Sequence, residues 1–100
     1  MVLRIGHRGA MGYEPENTLR SFRKALELQC NMVEMDVRFC RSGELVVIHD
    51  DRLERTTNGK GAVVEETWER LRTLDAGKNE RIPLLQEAVE LIRGKCRNQY

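Results

Sequence analysis

The sequence predicts an α/β fold, on three observations. Short apolar runs of strand length stand at residues 2–5 and 45–48 and an alternating one at 32–39, stretches of helical period stand at 18–28 and after Pro83, and each of the two histidines stands at the end of a short apolar strand. The order along the chain is strand, helix, strand, strand, helix, helix. No repeat, low-complexity segment or Pro/Ser-rich linker interrupts it, so the 100 residues read as one unit.

Val2 to Ile5 is an apolar run ended by Gly6 and followed by Gly9 and Gly12, which reads as a buried strand entering a loop that carries His7 and Arg8. Asn17 or Thr18 caps a helix to about Leu28, because Leu19, Phe22, Ala25, Leu26 and Leu28 recur on one helical face. Met32 to Phe39 alternates as a strand. Met32, Glu34, Asp36 and Arg38 share one face, and Val33, Met35, Val37 and Phe39 the other. Arg41-Ser42-Gly43 is a turn, and Leu45 to Ile48 is a strand buried on both faces that delivers His49 at its end. From Asp50 to Gly61 runs a polar, glycine-bearing loop of a length that usually carries function. Thr67 caps a short helix through about Leu74, with Trp68 and Leu71 inward. A last helix follows Pro83, with Leu84, Leu85, Ala88, Val89, Leu91 and Ile92 as its apolar face and Gly94 at its C-terminal end.

Charge and composition exclude several classes. Seventeen Lys and Arg against 16 Asp and Glu leave a formal charge of +1, so no basic field argues for nucleic acid or anionic lipid. Apolar runs of a few residues fall far short of the roughly 20 that span a bilayer, and no signal-peptide core opens the chain; the expected location is cytoplasmic. Cys30, Cys40 and Cys96 are odd in number and widely spaced, which fits reduced thiols.

Glu34 and Asp36, two apart on a strand, project from one face roughly 7 Å apart. Two such carboxylates repel unless compensated. A hard divalent cation, Ca²⁺ or Mg²⁺, is the simplest compensation, and a solvated edge strand is the equal alternative. The few residues between this strand and the next favour a hairpin over a parallel crossover; a turn centred between Arg41 and Ser42 sets His49 opposite Glu34, although a parallel arrangement would also bring both strand ends to one rim. A lone histidine at a strand end more often only hydrogen-bonds a loop. Here His7 and His49 both occupy the strand-end position from which side chains enter a site at the rim of a parallel sheet, and two imidazoles suffice to remove one proton and deliver another near neutral pH. Arg8 offers a fork of donors to a phosphate or carboxylate, or an ordinary surface ion pair. Asn17-Thr18 reads as a helix cap and Trp68 as a core residue. The arginines at 38, 41, 52, 55, 70, 72 and 81 read as solvated surface.

Taken together, His7-Arg8-Gly9, Pro15-Glu16-Asn17-Thr18, Glu34-Met35-Asp36-Val37, Gly43 with Val46-Val47-Ile48-His49-Asp50, Arg55-Thr56-Thr57-Asn58-Gly59, Leu74-Asp75-Ala76-Gly77 and Ile82-Pro83 resemble the glycerophosphodiester phosphodiesterase family over residues 4 to about 93. The resemblance implies the N-terminal part of a TIM-like barrel and hydrolysis of glycerophosphodiesters, a small-molecule substrate class, to glycerol phosphate and an alcohol. It implies His7 and His49 as general acid and base, Arg8 on the phosphate, Glu34 and Asp36 as ligands of Ca²⁺ or Mg²⁺, and a structural role for Asn17.

The chain departs from the family pattern at Gln29-Cys30-Asn31, at Cys40-Arg41-Ser42-Gly43, and at Leu84, where the usual Thr would add a cap worth about 1 kcal/mol. In the family a strand with a Glu-x-Lys pair follows the last helix, whereas here Arg93-Gly94-Lys95-Cys96-Arg97-Asn98-Gln99-Tyr100 holds no Glu-x-Lys pair. Residues 1–100 are therefore expected to be a partial domain, with about three of a barrel's eight strands, two of its three protein metal ligands, and an open apolar edge through which copies self-associate. An inactive remnant or interaction module of the family is the alternative expectation, and a related phosphodiesterase acting on intact phospholipids a third.

Overall fold

The computed structural model describes residues 5–30 and 32–95. The expected strand residues 2–4 and Cys96 lie outside them. The elements are β1 (Ile5–Gly6), α1 (Leu19–Glu27), β2 (Met32–Val33), β3 (Val37–Phe39), β4 (Leu45–Val47), a 3-10 turn (Val63–Glu65), α2 (Trp68–Leu71) and α3 (Leu85–Lys95). β1 and β2 pair in parallel, Ile5 against Met32 and Gly6 against Val33, with α1 as the crossover. β3 and β4 pair antiparallel.

The strand expected over Met32 to Phe39 is thus two strands in two sheets. Its middle is drawn to different neighbours: the Glu34 N–H donates to the Gly6 carbonyl at 2.7 Å, and the Asp36 carbonyl accepts from Ile48 N–H at 3.0 Å. The hairpin holds, but its register differs from expectation by one residue, with Val37 opposite Val47, Arg38 opposite Val46 and Phe39 opposite Leu45. Gly43 is the cause. At φ 94° it makes a third loop residue, closed by Gly43 N–H on the Cys40 carbonyl at 3.0 Å and Cys40 N–H on the Glu44 carbonyl at 3.1 Å. The ladder, continued, sets Met35 rather than Glu34 opposite His49.

β4 divides the core as a strand buried on both faces must. Val46 and Ile48 join one cluster with Leu53, Leu71 and Ile82, while Val47 joins the other with Phe22 and Ala88. Trp68 is half-buried and packs against the first cluster rather than lying inside it. Full burial of Phe22 contributes about 2–3 kcal/mol. α1 starts as capping chemistry requires: Thr18, not Asn17, is the N-cap and exchanges bonds with Ser21. α2 ends at Leu71, short of the expected Leu74, yet Leu74 is still buried. Gly94 lies within α3.

Ile5, Met32, Val37 and Phe39, all on strands, are large apolar residues left exposed. Among the described residues no helix is long and apolar enough to cross a membrane.

Candidate active site

The loop after β1 is folded against the end of β2 by its glycines. Gly9 N–H donates to the carbonyls of Gly6 (3.1 Å) and Glu34 (3.2 Å), and the tight path puts Arg8 in the left-handed region at φ 53°. Both flanking residues thereby reach Glu34. Its Oε1 accepts the Arg8 backbone N–H at 3.0 Å and stands 3.6 Å from His7 Nε2. The Arg8 side chain then extends between Glu16, 3.3 Å from Nη1, and Asp36, 3.5 Å from Nε. These contacts are long, and Arg8 Nε is buried without a hydrogen-bond partner among the described residues, so its donors are incompletely used.

Asp36 is held by Asn17. Asn17 sits at φ 56° and is 3% exposed; its Nδ2 donates to Asp36 Oδ2 at 3.1 Å, and its Oδ1 accepts the Asp36 N–H at 3.4 Å. The cap role expected of Asn17 therefore belongs to Thr18, which leaves the amide for the carboxylate.

His49 stands two residues past the end of β4, with its backbone carbonyl accepting from Arg38 Nε at 2.9 Å and its Nδ1 2.8 Å from Asp50 Oδ1. Asp50 in turn accepts from Arg55, which also grips Glu16, at 2.8–2.9 Å throughout. The Arg55 guanidinium, then the His49 ring, hold the Asp50 carboxyl well below the usual carboxylate range. Arg55 also lowers Glu16, and the two carboxylates raise the guanidinium still further. Arg38 and Arg55, expected as solvated surface, are thus braces of the His49 loop.

The structure links His7, Arg8, Glu34 and Asp36 in a chain of contacts: His7 and the Arg8 backbone both meet Glu34, and the Arg8 side chain meets Asp36. Among the described residues, hydrogen bonds and ion pairs join His49 to them through Asp50, Arg55, Glu16 and Arg8, and His49 does not stand opposite Glu34 as the expected register had it. Sequence reasoning missed Glu16, Asn17, Asp50 and Arg55 as site residues. Their signal was present in the clustering of acids and arginines within the quoted motifs, since charges that recur beside glycine and asparagine turns are placed by backbone geometry.

Glu34 and Asp36 supply hard oxygen donors, each already oriented by a neighbouring N–H, the chemistry a divalent cation requires of its ligands. Among the described residues no group of three or more His, Cys, Asp or Glu could hold a metal. Two carboxylates are donors of the kind that a hard cation, Ca²⁺ or Mg²⁺, takes.

A family model described as the glycerophosphoryl diester phosphodiesterase family matches residues 7–98. A glycerophosphodiester phosphodiesterase of Caldanaerobacter subterraneus subsp. tengcongensis is 46% identical over 101 residues, which cover 94% of this chain and 42% of the relative. One from Bacillus subtilis (strain 168) is 36% identical over 114 residues, covering 99% and 39%. Among solved structures, a glycerophosphodiester phosphodiesterase from Agrobacterium tumefaciens superposes with a TM-score of 0.91 at 39% identity, covering 95% of this chain and 44% of that one. A phosphodiesterase from Oleispira antarctica, in complex with the product sn-glycerol-3-phosphate, gives the same TM-score and identity and covers 95% and 41%. The chain spans about two fifths of the length of these two curated relatives.

Proposed function

Because the chain belongs to the glycerophosphoryl diester phosphodiesterase family and carries an N-terminal portion of its TIM-like α/β barrel, we propose that it acts in metal-dependent hydrolysis of glycerophosphodiesters to glycerol phosphate and an alcohol. The observation that carries the reading is the convergence on Glu34. One carboxylate oxygen ties down the Arg8 backbone at 3.0 Å and stands 3.6 Å from the His7 ring, so a candidate acid or base, a candidate phosphate ligand and a candidate metal ligand share one spot.

In this reading His7 and His49 are the general acid and base. One takes the proton from the attacking water as its oxygen bonds to phosphorus, and the other delivers a proton to the leaving alkoxide oxygen as its bond to phosphorus breaks. Arg8, with its incompletely used donors, binds the phosphoryl oxygens and stabilises charge that develops there. Glu34 and Asp36 would hold Ca²⁺ or Mg²⁺, which when bound supplies positive charge against the diester. Asn17 fixes Asp36, and the Arg8 N–H fixes Glu34. Gly6 lets the loop pack closely on α1 while reaching these contacts: a Cβ there would stand 2.9 Å from Ala25 Cβ.

The test is turnover of glycerophosphocholine by the chain with Ca²⁺ or Mg²⁺. The expected result is hydrolysis abolished by chelator and lowered about 10²- to 10⁴-fold by His7→Ala or His49→Ala. Turnover that survives both substitutions would falsify the assignment, and release of a diacylglycerol or ceramide product from intact phospholipid would move the substrate class. A second reading, an inactive module that keeps the motif residues, is favoured by the absence of a third acidic ligand among the described residues. Chelator-sensitive turnover excludes it.

Two further features belong to the proposal. Cys30 and Cys40 are free thiols, which supports a cytoplasmic location. Exposed Ile5, Met32 and Phe39 support association between copies through the strand edges, checked by a sedimentation coefficient that rises with concentration.

A further inference from the structure

Arg55 grips two carboxylates from distant parts of the chain at once. Nε and Nη2 donate to Oδ2 and Oδ1 of Asp50 at 2.8 and 2.9 Å; Nη1 and Nη2 donate to Oε1 and Oε2 of Glu16 at 2.9 and 2.8 Å. Each contact is two-handed, so both carboxylates are fixed in orientation as well as distance. Asp50 spends its Oδ1 on His49 Nδ1 at 2.8 Å, and Glu16 faces Arg8 Nη1 at 3.3 Å. The side chains of Glu16 and Asp50 are 11% and 25% exposed, whereas Arg55 is half exposed.

From this geometry we infer that Arg55 is the positioning residue of His49: it locks the Asp50 carboxylate so that the imidazole is held as its Nδ1–H tautomer with Nε2 left free to exchange a proton. The inference deepens the proposed function and rests on His49 being one of its two acid–base groups. An ionised carboxylate only accepts, so the ring nitrogen beside it must be the protonated one. Asp50 directly follows His49, and a side chain that near in sequence can reach the ring or turn away from it with little change of backbone. The second oxygen decides. Arg55 holds Oδ2 and shares Oδ1, which fixes the carboxylate plane, while Glu16 holds the guanidinium from its far side. Arg38 secures the His49 backbone carbonyl, so ring rotation is the freedom left for Asp50 to remove. Glu16 also extends the chain of contacts to Arg8, so the arginine meant for phosphate and the histidine meant for proton transfer are registered to one another.

The measurement is the tautomer of the His49 ring from ¹⁵N shifts in the full chain, at about pH 8, where an ordinary imidazole is neutral. The wild-type ring is expected as Nδ1–H. In Arg55→Gln that population should fall to about half or less. Arg55→Lys, which keeps the charge but cannot bind two carboxylates two-handed, should move the same way. Arg52→Gln, which removes a neighbouring arginine paired with Glu54, should leave the ring unchanged. A wild-type ring found as Nε2–H overturns the inference outright. So does the wild-type tautomer in either folded Arg55 variant, or an equal shift in Arg52→Gln; should Arg55→Gln not fold, Arg55→Lys decides alone. The readout needs neither substrate nor metal. The expected tautomers in a chain without turnover would count against His49 as a catalytic residue only, and turnover with unmoved tautomers against Arg55 only.

Discussion

Asn17 and Asp36 bind each other at both side chain and backbone, the Asn17 amide donating to the Asp36 carboxylate at 3.1 Å and accepting the Asp36 N–H at 3.4 Å. The amide is buried, and its backbone is left-handed, a region that Asn tolerates better than most residues. Asn17→Ala would lose both bonds and add backbone strain. We expect a loss of about 2–3 kcal/mol by urea denaturation. If Asp36 is a metal ligand, titration calorimetry should show Mg²⁺ or Ca²⁺ affinity reduced about 10- to 100-fold. Unchanged affinity in a folded Asn17→Ala chain would separate Asp36 from the metal.

Arg55 sets a pH dependence whose sign follows from its partners. In the folded chain the Asp50 and Glu16 carboxyls are both held below their ordinary values, chiefly because Arg55 hydrogen-bonds them. As pH falls, the unfolded chain therefore binds protons first. Their stabilisation is fully present above the ordinary carboxylate pKa of about 4, and it is lost as pH drops through that value toward the folded ones. Urea midpoints should be flat from about pH 7 to 5 and fall below about pH 4. Arg55→Gln should lower the midpoint at neutral pH by the equivalent of about 1 kcal/mol, a figure kept small because Arg55 is half exposed, and should make the acid fall shallower. An equally steep fall in the variant would assign the acid sensitivity elsewhere, for instance to Glu14, which Lys78 and Arg20 lower in the same way.

Thr18 is fully buried, and its hydroxyl works in both directions. It donates to the Pro15 carbonyl at 2.7 Å and accepts the Ser21 N–H at 3.2 Å. Thr18→Val keeps the volume and removes both bonds, leaving a helix N–H and a carbonyl unpaired. Differential scanning calorimetry should show a loss of about 1–2 kcal/mol, with most of it recovered in Thr18→Ser.

Gly9 and Gly12 should respond oppositely to alanine. At Gly9 the backbone is left-handed (φ 79°), and an added Cβ would lie 2.8 Å from the Ser21 carbonyl carbon and 2.9 Å from Phe22 Cδ1. Neither neighbour can yield, because α1 and the core hold them. Gly9→Ala should cost about 3 kcal/mol or more and loosen the loop that aims His7 and Arg8. Nothing stands within 4 Å at Gly12, so Gly12→Ala should stay within about 0.5 kcal/mol. Thermal melts of the two variants side by side check the contrast.

Local chemistry made much of this protein legible in its sequence. The face of α1, the doubly buried run Val46 to Ile48 and the hairpin follow from side-chain period and turn residues, which act over a few residues, whereas a common site for His7, Arg8, Glu34 and Asp36 was expected only from the family resemblance. What the sequence left open depends on competition between distant partners. Residues 32–39 look like one strand because each carries a strand-compatible side chain, but Gly6 claims one end and Ile48 the other, and the ladder breaks between them. Gly43 could serve a two- or a three-residue loop, and only the closed hairpin chose the one that shifts His49 by a residue. Arg55 shows the same limit most sharply. Its charge reads as surface, and half of it is; its role exists only because tertiary folding brings Glu16, 39 residues away, within 2.8 Å of the guanidinium that already holds Asp50. Side-chain type and period are written locally, whereas which opposite charges meet is fixed only when the backbone has closed.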